Sequence, residues 1–417
     1  MDVFEKLIKD GGPIGQHMDR AHGYFAFPKL DGELGPHMKF RGKDMIVWSL
    51  NNYLGLVNHP EVRKADTDAA SKYGMGNPMG ARMMSGNSTK HEELENVISK
   101  FVNREDTMLL NFGYQGIMSC IDALVNRRDV IVYDAEAHAC IVDGVRLHMG
   151  HRYAFKHNDI EDCEKQLQRA KELATKNGGG ILLITEGVFG MDGEQGILKK
   201  IVALKKKFEF RILIDDAHGF GYMGPTGGGA DEAQGCQDGI NLYFSTFVKS
   251  MGSIGAFISG PKAVIKYLRY NTRSQIFAKS LPLIIVEGML KRMEMTINMP
   301  ELRKKLWDNV ARLQNGLKER GFDIGNTNSP VTPIYMKGDV PEATQMVMDL
   351  RENYHIFCSI VVYPVIPKGD IIYRLIPTAA HSFEDVDQTL KAFEETKKKL
   401  DMGDYKAADI PDMAEKM

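Results

Sequence analysis

Lys249 stands where an apolar run gives out. Residues 241–255 read Asn-Leu-Tyr-Phe-Ser-Thr-Phe-Val-Lys-Ser-Met-Gly-Ser-Ile-Gly. Leu242, Tyr243 and Phe244 have the texture of a buried strand, which empties into Ser245, Thr246, Lys249, Ser250, Gly252 and Gly255. In open α/β sheets ligands bind outside the carboxyl ends of strands. A desolvated lysine there loses its proton and attacks a carbonyl carbon as a free amine. Hydroxyls and a close glycine backbone suit a phosphate. A lysine nucleophile beside phosphate donors is what an aldehyde cofactor bearing a phosphate needs, and pyridoxal 5′-phosphate (PLP) meets that description. The competing reading is a surface lysine in an ordinary glycine-rich loop, and this stretch alone does not choose between them.

Other apolar runs end in comparable chemistry. Phe210-Arg-Ile-Leu-Ile214 runs into Asp215-Asp-Ala-His218. An acid at the end of a buried strand is costly without a cationic or N–H partner, and a protonated pyridine nitrogen is such a partner. His218 is near enough in sequence to address the same ring. Thr107–Phe112 leads into Gly113-Tyr114, a strand-to-helix turn whose N–H groups form an anion site, though many α/β turns look alike. Asp129–Tyr133 leads to His138, which alone reads more readily as a core histidine than as a ring stacked on a ligand. Asn51 and Asn52 follow the strand Asp44–Trp48 and read first as a turn. Arg82, in a glycine- and methionine-rich loop over 73–86, is an anion ligand or a solvated charge. Arg374 interrupts an apolar strand, so it pairs with an acid or receives a carboxylate bidentately. Bland readings of Gly113/Tyr114, His138, Asp215/His218 and Thr246/Lys249 together are improbable.

Strands alternating with helices predict a mostly parallel α/β sheet, helices on both faces, with its site along the strand ends. At 417 residues the chain exceeds one small core. The expected division is an N-terminal arm over 1–48, a large cofactor-binding domain over 49–290, a smaller C-terminal α+β domain over 291–400 and a loose tail over 401–417. One long helix is expected from 283 to about 318. A formal net charge of −2 offers no global field for nucleic acid. Cys120, Cys140, Cys163, Cys236 and Cys358 lack metal-ligand spacing, so no metal is expected, and their odd number points to reduced thiols in the cytoplasm. No apolar run reaches membrane-span length, and the N-terminus lacks a signal peptide's basic start. A membrane-derived substrate is therefore met at a surface, by peripheral contact.

From about residue 45 to 395 these motifs, in this order, resemble the α-oxoamine synthases, a branch of the fold type I PLP enzymes. Such enzymes join an amino acid to an acyl thioester and release CO2. The resemblance implies that Lys249 is the Schiff-base lysine and Asp215 the partner of the pyridine nitrogen. It implies that His138 stacks on the ring and that His218 donates to the phenolic oxygen. Gly113, Tyr114 and Thr246 match positions around phosphate and ring, Arg374 the carboxylate-binding arginine, and Asn51 a substrate-site asparagine. Two departures stand out. Gly190 replaces a serine common after Glu-Gly-Val-Phe, and Phe277-Ala-Lys-Ser-Leu-Pro282 replaces a stretch whose hydroxyl reaches the neighbouring subunit's phosphate. Lys279 or Ser280 is the candidate substitute.

Thr246-Phe-Val-Lys-Ser-Met-Gly252 is most similar to serine palmitoyltransferases and their cysteate-using relatives. The implied reaction condenses serine or cysteate with a long-chain acyl-CoA or acyl carrier protein thioester in a homodimer. A sulfonate substrate wants an extra cation, for which Lys279 and Arg82 are candidates. The alternatives within the family are 8-amino-7-oxononanoate synthase and 2-amino-3-ketobutyrate CoA ligase. Outside it stand a PLP aminotransferase and a non-catalytic partner subunit. A nucleotide-binding Rossmann domain fails for want of Gly-x-Gly-x-x-Gly after the first strand.

Overall fold

The computed structural model describes residues 2–10, 12–15, 18–406 and 409–413. Its strands, numbered along the chain, are β1 (Leu30–Asp31), β2 (His37–Phe40), β3 (Lys43–Val47), β4 (Asp106–Leu110), β5 (Val130–Asp134), β6 (His151–Phe155) and β7 (Ile181–Glu186). They continue with β8 (Arg211–Asp215), β9 (Leu242–Thr246), β10 (Ala256–Gly260), β11 (Thr332–Tyr335), β12 (Ile356–Phe357), β13 (Ser359–Val361) and β14 (Ile372–Leu375). The chain forms two compact units. The larger comprises Asn51–Gly190 and Glu194–Lys304; the smaller comprises Met1–Leu50, Met191–Gly193 and Lys305–Met417.

The larger unit is built on a seven-stranded sheet of order β4-β10-β9-β8-β7-β5-β6. β5, β7, β8 and β9 pair in parallel as neighbours, and β6 is parallel to β5. Every residue of β7 and of β9 is buried, as expected of strands covered on both faces. β10 runs antiparallel to both β9 and β4. Its cause is the connection: residues 247–255 are too few for a parallel crossover, which takes a dozen or more. Met108, Ile121, Ile131, Ile141, Ile184, Leu213 and Phe244 meet in the core under this sheet.

The expected helix from 283 to 318 is two helices, Leu283–Asn298 and Pro300–Glu319. Proline at the first position of the second lacks the N–H needed to continue the first helix, so the chain breaks at Met299. Leu283–Asn298 packs on helices Pro60–Tyr73 and Thr89–Phe101.

In the smaller unit the N-terminal strands join the C-terminal half. β12 pairs parallel to β3, giving the sheet β1-β2-β3-β12, while β11-β14-β13 forms a second sheet. Trp48, Ile334, Tyr373 and Phe393 share one core. Capping boxes at Asp339 and Ser382 open the helices Val340–Glu352 and Phe383–Met402. Beyond them Tyr405 is buried and its hydroxyl donates to Asp349. Among the described residues no helix is long and apolar enough to cross a membrane.

Candidate active site

Lys249 lies half-buried in the β9–β10 loop. That loop is closed by its own backbone: Phe247 N–H donates to Gly255 O at 2.9 Å and Gly252 N–H to Lys249 O at 2.9 Å. Gly252 has φ +55°, and a Cβ there would lie 2.7 Å from Val57 Cβ. The hydroxyls that suggested a phosphate are engaged in the same scaffold. Ser245, Thr246 and Ser250 donate to the carbonyls of Asp216, Gly255 and Phe220 at 3.1, 2.9 and 2.6 Å. The loop is therefore braced around the lysine, with Thr246 beside Gly113. A Cβ on Gly113 would lie 3.3 Å from Thr246 Oγ1.

Asp215 ends β8, accepts the Ala217 N–H at 3.1 Å and faces Cys140 Sγ at 3.9 Å. Its pKa is raised by burial, which the Lys249 charge and the Ala217 N–H only partly oppose. Glu186 is its cross-strand neighbour on β7. Burial, followed by the Asp215 charge, drives the Glu186 pKa well above the carboxylate range. Glu186 Oε1 accepts the His138 N–H at 2.6 Å. His138 caps the helix Ala139–Leu147, its Nδ1 accepting the Cys140 N–H at 3.2 Å, while the residue as a whole remains exposed. Desolvation of the ring lowers its pKa; the Asp215 charge opposes this and the Lys249 charge adds to it. Lys249, Asp215, Glu186 and His138 thus act on one another electrostatically at adjacent strand ends. Glu186 gave no distinct signal in the sequence beyond its place after an apolar run.

His218 is buried, with Nδ1 2.7 Å from the hydroxyl of fully buried Tyr53. Tyr53 belongs to the stretch read as a turn. Asn52 does make that turn, its Oδ1 accepting the Val57 N–H at 3.2 Å, while Asn51 is half-buried beside it.

The helix Gly113–Leu124 begins with no side chain capping its N–H groups. Tyr114 is partly exposed and its hydroxyl donates to Asp143. Lys279 is exposed; its carbonyl accepts from Asn111, just before that helix. Ser280 is buried and its hydroxyl donates to Gly80 O at 3.2 Å. Arg82 is neither a solvated charge nor an open anion ligand in this chain: its guanidinium forks onto Glu95 at 2.9 and 3.1 Å. In the smaller unit Arg374 is buried mid-strand on β14, in register with Pro333 of β11 and Ser359 of β13. His381 of the same motif stacks on Trp48 with ring centroids 4.1 Å apart, and burial pushes its pKa down to about 4. Among the described residues no cluster could hold a metal ion.

The class I and II aminotransferase family matches residues 43–393. A cysteate-C-fatty acyltransferase of Capnocytophaga ochracea is 64% identical over 406 residues, covering 97% of either chain. An 8-amino-7-oxononanoate synthase of Thermoanaerobacter pseudethanolicus is 35% identical over 388 residues, 93% of this chain and 96% of its own. A serine palmitoyltransferase from S. paucimobilis, solved with PLP and myriocin bound, superposes with a TM-score of 0.88 at 28% identity. It covers 96% of this chain and 100% of its own. The chain belongs to the PLP-dependent α-oxoamine synthases.

An α-oxoamine synthase takes PLP as its cofactor, and the residues present fit that group. Asp215 is a buried carboxylate whose neighbours offer an N–H and a thiol rather than a direct full charge, which suits a pyridinium nitrogen. His138 keeps its ring anchored at Nδ1, beside the Tyr114 ring at the start of Gly113–Leu124. The uncapped N-terminus of Gly113–Leu124 suits a phosphate.

Proposed function

We propose that this α-oxoamine synthase condenses L-cysteate with a long-chain fatty acyl thioester, releasing CO2 and the free thiol and forming the amino ketone base of a sulfonolipid. The observation that carries the reading is the 64% identity, over nearly the full length of both chains, with a protein named cysteate-C-fatty acyltransferase. Serine remains the second amino acid of interest, since the structural neighbours are serine palmitoyltransferases.

Lys249 would hold the cofactor at its aldehyde carbon and, as a free amine, would take the proton from the substrate Cα. PLP, when bound, supplies the electron sink that stabilises negative charge at that carbon. Asp215 would keep the ring nitrogen protonated, His138 would pack on the ring face, and His218 would address the phenolic oxygen. The N–H groups at Gly113 and Tyr114 would hold the phosphate beside Thr246, whose hydroxyl is engaged by Gly255 O; Asn51 and Arg374 would bind the amino acid, Arg374 at its carboxylate. Arg82, committed to Glu95, leaves Lys279 as the better candidate of the two for the sulfonate. The site works in the cytoplasm within a homodimer, near the subunit boundary. Exposed Met75, Met79, Met84, Phe112 and Phe277, close in sequence to these segments, support a second copy there. A monomer retaining full turnover overturns that assembly.

The purified protein is expected to be yellow, to bleach irreversibly with borohydride, and to lose both properties in Lys249→Ala. The decisive assay offers cysteate, serine, glycine and alanine separately with palmitoyl, acetyl and pimeloyl thioesters and follows CO2 and free thiol. Turnover confined to alanine with pimeloyl thioester, or to glycine with acetyl thioester, moves the chain to another branch of the family.

A further inference from the structure

His218 is held from three sides, all by residues of the larger unit. Tyr53 Oη lies 2.7 Å from its Nδ1. Tyr53 itself is 0% exposed and packs on Tyr222, ring centroids 4.6 Å apart at 49°. Tyr222 in turn donates its hydroxyl to the His218 carbonyl, so both tyrosines close on one residue. On the remaining edge stands Gly190. A Cβ built there would lie 2.4 Å from His218 Nε2, 2.8 Å from Cδ2 and 3.1 Å from Cε1, distances that carbon and nitrogen do not tolerate. The imidazole therefore lies against bare backbone at 190, and a side chain there would force the ring or the 190 backbone to shift.

A neutral imidazole carries its proton on one nitrogen, and the partner of the other decides which. A buried phenol 2.7 Å from Nδ1 is such a partner. We infer that Tyr53 sets the tautomer and ring plane of His218, and that the missing side chain at Gly190 is what allows that pose. Tyr53 is a positioning residue: it acts on the cofactor through His218. The inference rests on the assignment of His218 to the PLP phenolic oxygen only for its catalytic consequence; the tautomer itself belongs to the protein alone.

The test starts with the apoenzyme, using ¹⁵N-histidine NMR with His218→Gln to assign the signal. Wild type should show His218 as one tautomer, and Tyr53→Phe should average its two nitrogen shifts while circular dichroism stays unchanged. Gly190→Ala should shift the same signals even with Tyr53 intact. With PLP bound, Tyr53→Phe should move the pH midpoint of the cofactor's visible band and lower kcat by roughly tenfold to a hundredfold, leaving the amino-acid KM within about twofold. In a His218→Gln background the Tyr53→Phe change should cost nothing further. Unaltered His218 shifts in folded Tyr53→Phe apoenzyme overturn the inference. Because that readout needs neither substrate nor cofactor, it is separable from a failure of the cysteate reaction.

Discussion

Asp215 and Asp216 leave β8 toward different surroundings. Asp216 is 0% exposed and its Oδ2 accepts the Ala230 N–H at 2.8 Å and the Tyr243 hydroxyl at 2.7 Å. Asp215 is scarcely less buried, yet it receives one backbone N–H at 3.1 Å and a distant thiol. Burial raises both pKa values, that of Asp216 further. One acid takes both of its neutral donors at Oδ2, leaving Oδ1 buried and unpaired, and ties β8 to β9 and the helix Ala230–Ala233. The other has the Lys249 and His138 charges acting on it across the candidate site, which is the setting of a functional rather than a purely structural carboxylate. Sequence proximity and burial do not separate them; the identity of their donors does.

Replacing each aspartate in turn should split function from stability. Asp215→Asn should fold and take up PLP but lose roughly a hundredfold to a thousandfold in exchange of the substrate Cα proton with solvent. Unchanged exchange makes Asp215 structural. The same variant sharpens the contrast in the apoenzyme. A carboxyl whose folded pKa is raised keeps its proton longer in the folded state, so its stabilising effect is full below the unfolded pKa and is lost as pH rises. Asparagine cannot ionise, so Asp215→Asn apoenzyme should be the more stable of the two at pH 8, by thermal melting, and show no advantage at pH 4.

Asp216→Ala should behave the opposite way. It strands a buried N–H and a buried hydroxyl and should cost about 2–4 kcal/mol in urea unfolding. Turnover per bound PLP in the folded fraction should stay within about threefold. Arg374 carries the distinction into the smaller unit: Arg374→Ala should raise the amino-acid KM about tenfold and spare PLP binding. A collapse in melting temperature with KM unchanged would class it with Asp216.

The smallest effect is expected at the β5 exit, where Asp134 Oδ1 holds His157 Nδ1 at 3.0 Å. Burial alone would lower the His157 pKa, but the Asp134 hydrogen bond and the Asp134, Glu136 and Glu194 charges raise it. A raised histidine pKa contributes stability below the unfolded value of about 6.5 that is lost as pH climbs through the folded one. Asp134→Asn should therefore lower the melting temperature by about 1–3 °C at pH 6 and by less at pH 8.

Much of this was legible beforehand because burial on both faces leaves a near-continuous apolar run, and the polar residue that ends such a run is conspicuous. Lys249, Asp215, His218 and His138 were singled out that way. Tyr53 and Glu186 were not. Tyr53 sits inside Asn-Asn-Tyr-Leu-Gly, where the asparagines and glycine announce a turn and the aromatic passes for turn filling. Its hydroxyl acquires meaning only when the chain returns 165 residues later with His218. Arg82 was misread for the same reason, since its partner Glu95 lies across a loop whose path no local pattern specifies.

The sequence by itself determined the alternation of strands and helices and the mostly parallel sheet, which follow from hydrophobic period, while the resemblance of its motifs to known enzymes pointed to the family. Only the tertiary structure decided that the N-terminal strand β3 pairs with β12, that the hydroxyls around Lys249 brace its loop, and that Gly190 makes room for an imidazole. Each of these is a contact between residues separated in the chain, or the room left by one absent Cβ. Such terms depend on how whole elements pack, and residue order carries no local trace of them.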